Sequence, residues 1–175
     1  MIEICKTTKA DTRSAAGPVS KEDLLYQSEL HIDHVKKGFE FINQKMIETA
    51  EKHDWTKIEY IDQFHRDFSS GVTGKDFKKL PWFQIHMTKE RHHWLDNCPS
   101  DITLIDVMEK CIDVTMAGLA RSGSVYDEEI PNEILQKAYK NTIKMLIENT
   151  VVQEEINEEE MKSLLDNLFG VETHI

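Results

Sequence analysis

The sequence predicts an all-α domain of about five to six helices. Apolar residues recur at intervals of three and four along most of the chain, no stretch alternates as a strand would, and glycine and proline fall largely at junctions. At 175 residues with 39% hydrophobic content the chain can bury one core. The expected organisation is an irregular arm over 1–19, a helical domain over 20–150 and an acidic segment over 151–175. Ser20 and Asp23 form a capping-box pair ahead of Leu24, Val35, Phe39, Ile42 and Met46, which places a long first helix over about 21–52. Ile58, Ile61, Phe64 and Phe68 place a second over 56–68, closed by the loop from Ser69 to Gly74. Pro81 suits the first turn of a third helix reaching about Leu95. A fourth, about 102–121, carries Ile105, Met108, Ile112, Met116 and Leu119 as a core stripe and ends at Ser122-Gly123-Ser124. Pro131 opens a fifth through Ile147. After the acidic run from Glu154 to Glu160, Met161, Leu164, Leu165, Leu168 and Phe169 suggest a short last helix.

Charge and composition exclude several functions. A formal charge of −11 is wrong for a duplex-binding surface, which would need a basic face, although a small phosphorylated substrate stays compatible because a bound metal ion can dominate a local field. No run is long and apolar enough for a membrane span, and no leader-like segment opens the chain. Cys5, Cys98 and Cys111 form no Cys-x-x-Cys pair, which argues for the cytoplasm and against a disulfide framework. A homodimer is compatible with all of this.

Seven of the eight histidines lie between positions 31 and 93. His31 and His34 share a helix face, with Gly38 one turn further on, where an interior glycine suggests close approach by a helix or a ligand. His53-Asp54 stands at the junction of the first two helices and supplies a nitrogen–oxygen donor mixture suited to Mn, Fe, Co, Ni or Zn. His86, Glu90 and His93 fall on one face at i, i+4, i+7 and could bind metal or organise a water, while His92 points away from His86 on an ideal helix. Asp106 and Asp113 share an azimuth on the fourth helix, with Glu109 between them.

In order, His34, His53-Asp54 and Asp113 reproduce the H…HD…D pattern, and the chain resembles the HD superfamily of metal-dependent phosphohydrolases. Leu30 to Val35, His53 to Lys57, Arg91 to His93 and Leu104 to Val107 also look like small phage-encoded HD-like proteins without an assigned function, a likeness covering about 20–125. A phage origin would place the protein in the host cytoplasm. The resemblance implies an HD-like fold, one or two divalent ions (Mn, Fe, Co, Ni, Mg or Zn), and hydrolysis of a nucleotide or related phosphoester. His34, His53, Asp54 and Asp113 are the implied ligands; His86, His92 and His93 are available for a second ion, and His31 and Asp106 compete for the first and last positions. Asp54, Lys57 and Glu90 are then catalytic candidates, and Lys57, Arg91, Arg121 and Arg13 are candidates for holding substrate phosphate. The alternative is a non-catalytic HD-like metal-binding protein that binds a phosphorylated ligand or a partner protein.

Overall fold

The computed structural model describes residues 1–6, 18–94, 98–125 and 127–153. Among them the protein is all-α apart from one pair of short strands: β1 (Ile2–Cys5), α1 (Lys21–Lys52), α2 (Trp55–Glu59), α3 (Ile61–Ser69), α4 (Gly74–Phe77), α5 (Pro81–Lys89), α6 (Leu104–Ser122), α7 (Asn132–Glu148) and β2 (Thr150–Gln153). They fall into two units, Met1–Phe41 with Glu148–Ile175 and Ile42–Ile147. No helix among the described residues is long and apolar enough to cross a membrane.

In the first unit, β1 and β2 pair in parallel with Ile2 opposite Thr150 and Cys5 opposite Gln153. The expected irregular arm therefore begins with a strand whose four-residue length hid its pattern. The opening of the expected acidic segment is the other strand. Arg13 and the last helix expected around Met161 lie outside the described residues. The Ser20–Asp23 cap is present: Ser20 Oγ accepts from the Asp23 amide at 3.0 Å and donates to its carboxylate at 2.7 Å.

The second unit departs from expectation at two helix ends. The predicted second helix breaks at Tyr60, whose backbone (φ −109°, ψ 34°) separates α2 from α3. The predicted third helix stops at Lys89, because Glu90 turns extended (φ −82°, ψ 121°). Its start is as expected, with Pro81 in the first turn and the buried Asp67 carboxylate accepting from the Trp82 amide at 2.8 Å. Phe64 stacks on Trp82 at 3.8 Å between centroids, joining α3 to α5, and Trp82 in turn stacks on His86. A second core gathers Trp94, Ile102 and Ala138, flanked by Leu104, Val107 and Ile134. Of the stripe expected to be core on α6, only Ile105 is buried; Met108, Ile112, Met116 and Leu119 are exposed. Gly38 also departs from expectation, since a Cβ there would meet nothing within 4 Å.

Candidate metal centre

The centre is built by three short segments of the second unit. His53 and Asp54 form the two-residue turn between α1 and α2, and Asp54 has a left-handed backbone (φ 56°), the only such non-glycine residue among those described. Strained conformations of this kind persist where surroundings over-determine them, and they concentrate at functional sites. That backbone starts α2 immediately, carrying Thr56 and Lys57 alongside the Asp54 carboxylate. His86 lies in the last turn of α5. Because the helix ends at Lys89, His92 and His93 leave it in a turn and swing back toward His86, with ring centroids 6.5 and 4.7 Å from it. The expectation that His92 points away fails for this reason: the ideal helix it assumed does not reach residue 92.

The imidazole Nε2 atoms converge on Asp54. Those of His86 and His92 both lie 3.6 Å from Asp54 Oδ1, and that of His53 lies 3.5 Å from Oδ2. His93 Nε2 is 3.0 Å from His86 Nε2. Two nitrogens that close require a proton or a cation between them. Two donor groups result, His53 with Asp54 and His92, and Asp54 with His86 and His93, and within each the ligand atoms lie within 4.8 Å of one another. Asp54 belongs to both. Asp113 adds Oδ1 at 3.8 Å from His53 Nε2.

The far side of the rings is held by neighbours that set the tautomers. Glu109 Oε1 accepts from His53 Nδ1 at 2.9 Å, and His92 Nδ1 lies 3.0 Å from the same oxygen, though out of line for a straight bond. Burial raises the Glu109 carboxyl, but the two histidines more than offset it and leave it below the usual carboxylate range. A carboxylate can only accept, so His53 carries its proton on Nδ1 and offers a lone pair at Nε2. The same logic orients His86. The Thr56 hydroxyl, wholly buried, donates to Glu90 Oε1 at 2.5 Å and must therefore accept from His86 Nδ1 at 2.8 Å, which again frees Nε2. Holding the outer ring nitrogen with a carboxylate or hydroxyl is how proteins fix metal-ligating histidines.

Electrostatics agree with this geometry. Burial lowers His86 below the ordinary imidazole value, and burial with the neighbouring His92 and His86 lowers His93 to about 3. Both rings are therefore neutral near neutral pH, the form that binds metal. Burial alone would raise Asp54, yet Lys57, whose Nζ pairs closely with Oδ2, and then His53 and His86 hold it below its ordinary value. Asp54 Oδ1 and His92 Nε2 are buried without hydrogen-bond partners. Orphaned oxygen and nitrogen donors facing each other across 3.6 Å fit a divalent cation, and the nitrogen–oxygen donor set suits Mn, Fe, Co, Ni or Zn.

Several expected roles change. His34 lies in the first unit, where its Nε2 accepts the Cys5 amide at 3.1 Å. Neither His34 nor the exposed His31 is in a donor group among the described residues. Asp106 is also committed elsewhere. It takes two hydrogen bonds from Arg91, at 2.6 and 3.0 Å, and closes the capping box of α6 with Thr103. Arg91, which also reaches Asp101 at 3.2 Å, is thereby a structural pin and not a free phosphate ligand. Glu90 is buried on Thr56, accepting from its amide at 2.9 Å as well as from its hydroxyl, and acts as a positioning residue. Arg121 is exposed in the last turn of α6, two turns beyond Asp113. Glu109 is the contributor the sequence argument left without a role. Its signal was present, four residues before Asp113 and so on the same helix face.

The chain is similar to a threonine–tRNA ligase of Ehrlichia canis (strain Jake), with 27% identity over 178 residues. The match takes in 98% of this chain and 25% of that ligase, so the chain spans about a quarter of the length of this curated relative. No family model matches the chain, and no solved structure matches it.

Proposed function

We propose that this protein is a metal-dependent phosphohydrolase acting on a nucleotide or related small phosphoester, with two divalent ions sharing Asp54. The observation that carries the proposal is the convergence of four imidazoles on one partly orphaned carboxylate, in two donor groups that have Asp54 in common. His53, Asp54 and His92, with Asp113 beside them, would hold one ion; Asp54, His86 and His93 would hold the other. Such ions supply Lewis acidity toward a phosphate oxygen and a water acidified enough to serve as nucleophile. Three or four protein ligands leave open positions on a six-coordinate ion, which favours Mn, Fe, Co or Mg over tetrahedral zinc for turnover.

The protein's own groups have defined tasks in this proposal. Glu109, Thr56 and Glu90 keep the imidazoles aimed. Lys57 is the cation nearest the shared carboxylate; once Asp54 is engaged by metal, its ammonium is available to a substrate phosphate. The H…HD…D resemblance supports the reaction class, with the first histidine of that pattern not needed for the donor groups seen here.

The test is elemental analysis of protein purified without chelator or affinity tag, then phosphate release from a panel of nucleotides with Mn, Co and Mg. One to two equivalents of metal, lost in Asp54→Ala, together with turnover, is the expected result. Metal without turnover on any phosphoester would favour the non-catalytic metal-binding alternative. No bound metal in the wild type, or undiminished metal in Asp54→Ala, would overturn both.

A further inference from the structure

The two donor groups are backed differently. Behind His53 and His92 stands the carboxylate of Glu109, 2.9 and 3.0 Å from their Nδ1 atoms. Behind His86 the partner of Nδ1 is the neutral Thr56 hydroxyl, with Glu90 one hydrogen bond further off. Two cations also act on this second group, Lys57 on His86 and Lys110 on His93. A divalent ion shares its charge with the imidazoles that bind it, so each ligand ring becomes cation-like, and the groups behind the ring must accommodate that charge. Around His86 and His93 there is less negative charge to do so.

What His86 has instead is an indole. Trp82 stands four residues earlier on the same face of α5, and its ring lies 15° from parallel to the imidazole with centroids 4.8 Å apart. The indole is itself fixed. It is 4% exposed, stacked on Phe64 at 3.8 Å and 16°, and edge-on to Phe68 at 6.0 Å, while the Trp82 amide is held by Asp67. Its Nε1 is buried without a hydrogen-bond partner among the described residues, so ring packing sets its orientation. The face of an aromatic ring carries negative potential, that of tryptophan most strongly, and it attracts a cation within about 6 Å of its centroid, more so when both are out of water. His86 is as deeply buried as its partner, so Trp82 favours the imidazole that carries metal over the bare one.

We infer that Trp82 is a positioning residue for the ion of the His86–His93 group: its π face fixes the plane of the His86 ring and offsets the positive charge that metal places on it, the task that the Glu109 carboxylate performs for the other group. This inference rests on the two-ion reading given above, and it concerns one of the two ions only.

Titration of the metal-free full chain with Co(II), followed by calorimetry and visible absorption, tests it, and His93→Gln identifies the step that belongs to the His86–His93 ion. Trp82→Leu should weaken that ion about 10–100-fold and leave the other within about twofold, whereas Trp82→Phe, which keeps a π face, should lose less than Trp82→Leu. Because leucine at this buried position could disturb the fold, tryptophan analogues give a second readout. Fluorination draws electron density from the indole face and barely alters its size, so replacing the tryptophans by mono-, di- and trifluorinated forms should weaken the same ion stepwise without moving the other. Two ions whose affinities fall together or stay unchanged in Trp82→Leu, or a fluorinated series with no trend, would overturn the inference and leave the metal centre standing. A single bound ion insensitive to Trp82 would do the same. A wild type that binds no metal would overturn the two-ion reading and this inference with it.

Discussion

Acid should destabilise the metal-free protein through His93. Its ring lies 4.1 Å from that of His92 and 4.7 Å from that of His86, and burial among these neighbours lowers its pKa to about 3. An unfolded chain would titrate the same residue at about 6.5. Between those values the unfolded state holds a proton that the folded state does not, so stability is full above about pH 6.5 and falls by up to about 1.4 kcal/mol per unit as the pH drops toward 3. At about pH 5, 1.5 units below the unfolded value, the loss would reach about 2 kcal/mol for a fully shielded ring. The ring is partly exposed, and solvent screening brings the expected loss to about 1–2 kcal/mol. His86, also lowered by burial, pushes in the same direction. Urea unfolding in chelator at about pH 7.5 and pH 5 measures the effect, with His93→Gln as the comparison, because that variant has nothing to protonate at position 93. The wild type should lose about 1–2 kcal/mol more than the variant over this interval. Equal losses in the two proteins would refute the argument, since His93 would then titrate alike folded and unfolded.

Glu109→Gln removes the acceptor charge that holds His53 and stands beside His92, and metal affinity measured by calorimetry with Mn should fall about 10–100-fold; an unchanged affinity would remove Glu109 from the centre. Asp106→Asn gives up the charge on a buried carboxylate that takes two bonds from Arg91, and should lower stability by about 1–3 kcal/mol in denaturant titration without changing metal content. The two glycines tested by alanine should move in opposite directions. Gly38→Ala meets nothing and should raise stability by up to about 1 kcal/mol. A Cβ on Gly118 would lie 2.6 Å from the backbone oxygen of Ser124, so Gly118→Ala should lose about 1–3 kcal/mol to overpacking, more than the helix gains. Thermal melts of both variants decide this.

Most helices were legible because apolar periodicity and caps are local signals, and α1, α6 and α7 stand close to where those signals put them. Three features were not legible, each because tertiary contacts decide it. The β1–β2 pair joins residues almost 150 positions apart, and four-residue strands show too little alternation to be read. The end of α5 at Lys89 is marked by no glycine or proline; Glu90 is drawn instead onto Thr56, a partner 34 residues earlier in the chain. The exposure of the α6 stripe could not be foreseen either, since an amphipathic pattern shows that a face is apolar without showing what covers it. For the candidate centre, residue types in order singled out His53, Asp54, His86, His92 and His93, which the structure brings together, and Asp113, which lies beside His53. Choosing among neighbours was harder. His34 and Asp106 have the chemistry of ligands, and only the Cys5 amide and Arg91 guanidinium reveal that they are engaged elsewhere.

The bare centre carries costs that a bound cation could offset. A left-handed aspartate costs on the order of 1 kcal/mol. The orphaned Asp54 Oδ1 and His92 Nε2 each cost about 1–3 kcal/mol for desolvation without a partner. His86 and His93, held neutral with Nε2 atoms 3.0 Å apart, make the bare site costlier still as acidity rises. Those penalties share one remedy, a positive ion that takes the lone pairs of all these donors together. Lys57 offers a partial substitute, but its single ammonium engages Oδ2 and leaves Oδ1 unpaired. Saturating divalent metal should therefore raise the melting temperature, with a stabilisation of about 2.7 kcal/mol once its concentration is a hundred times the dissociation constant. Asp54→Asn, which tolerates the same backbone conformation but cannot serve as an anionic bridge, should abolish the metal-induced rise while leaving the metal-free melt near or above that of the wild type. If instead the metal-free Asp54→Asn protein melted well below the wild type, the Asp54 carboxylate would be a structural anchor in its own right, and the strain at residue 54 would need another explanation.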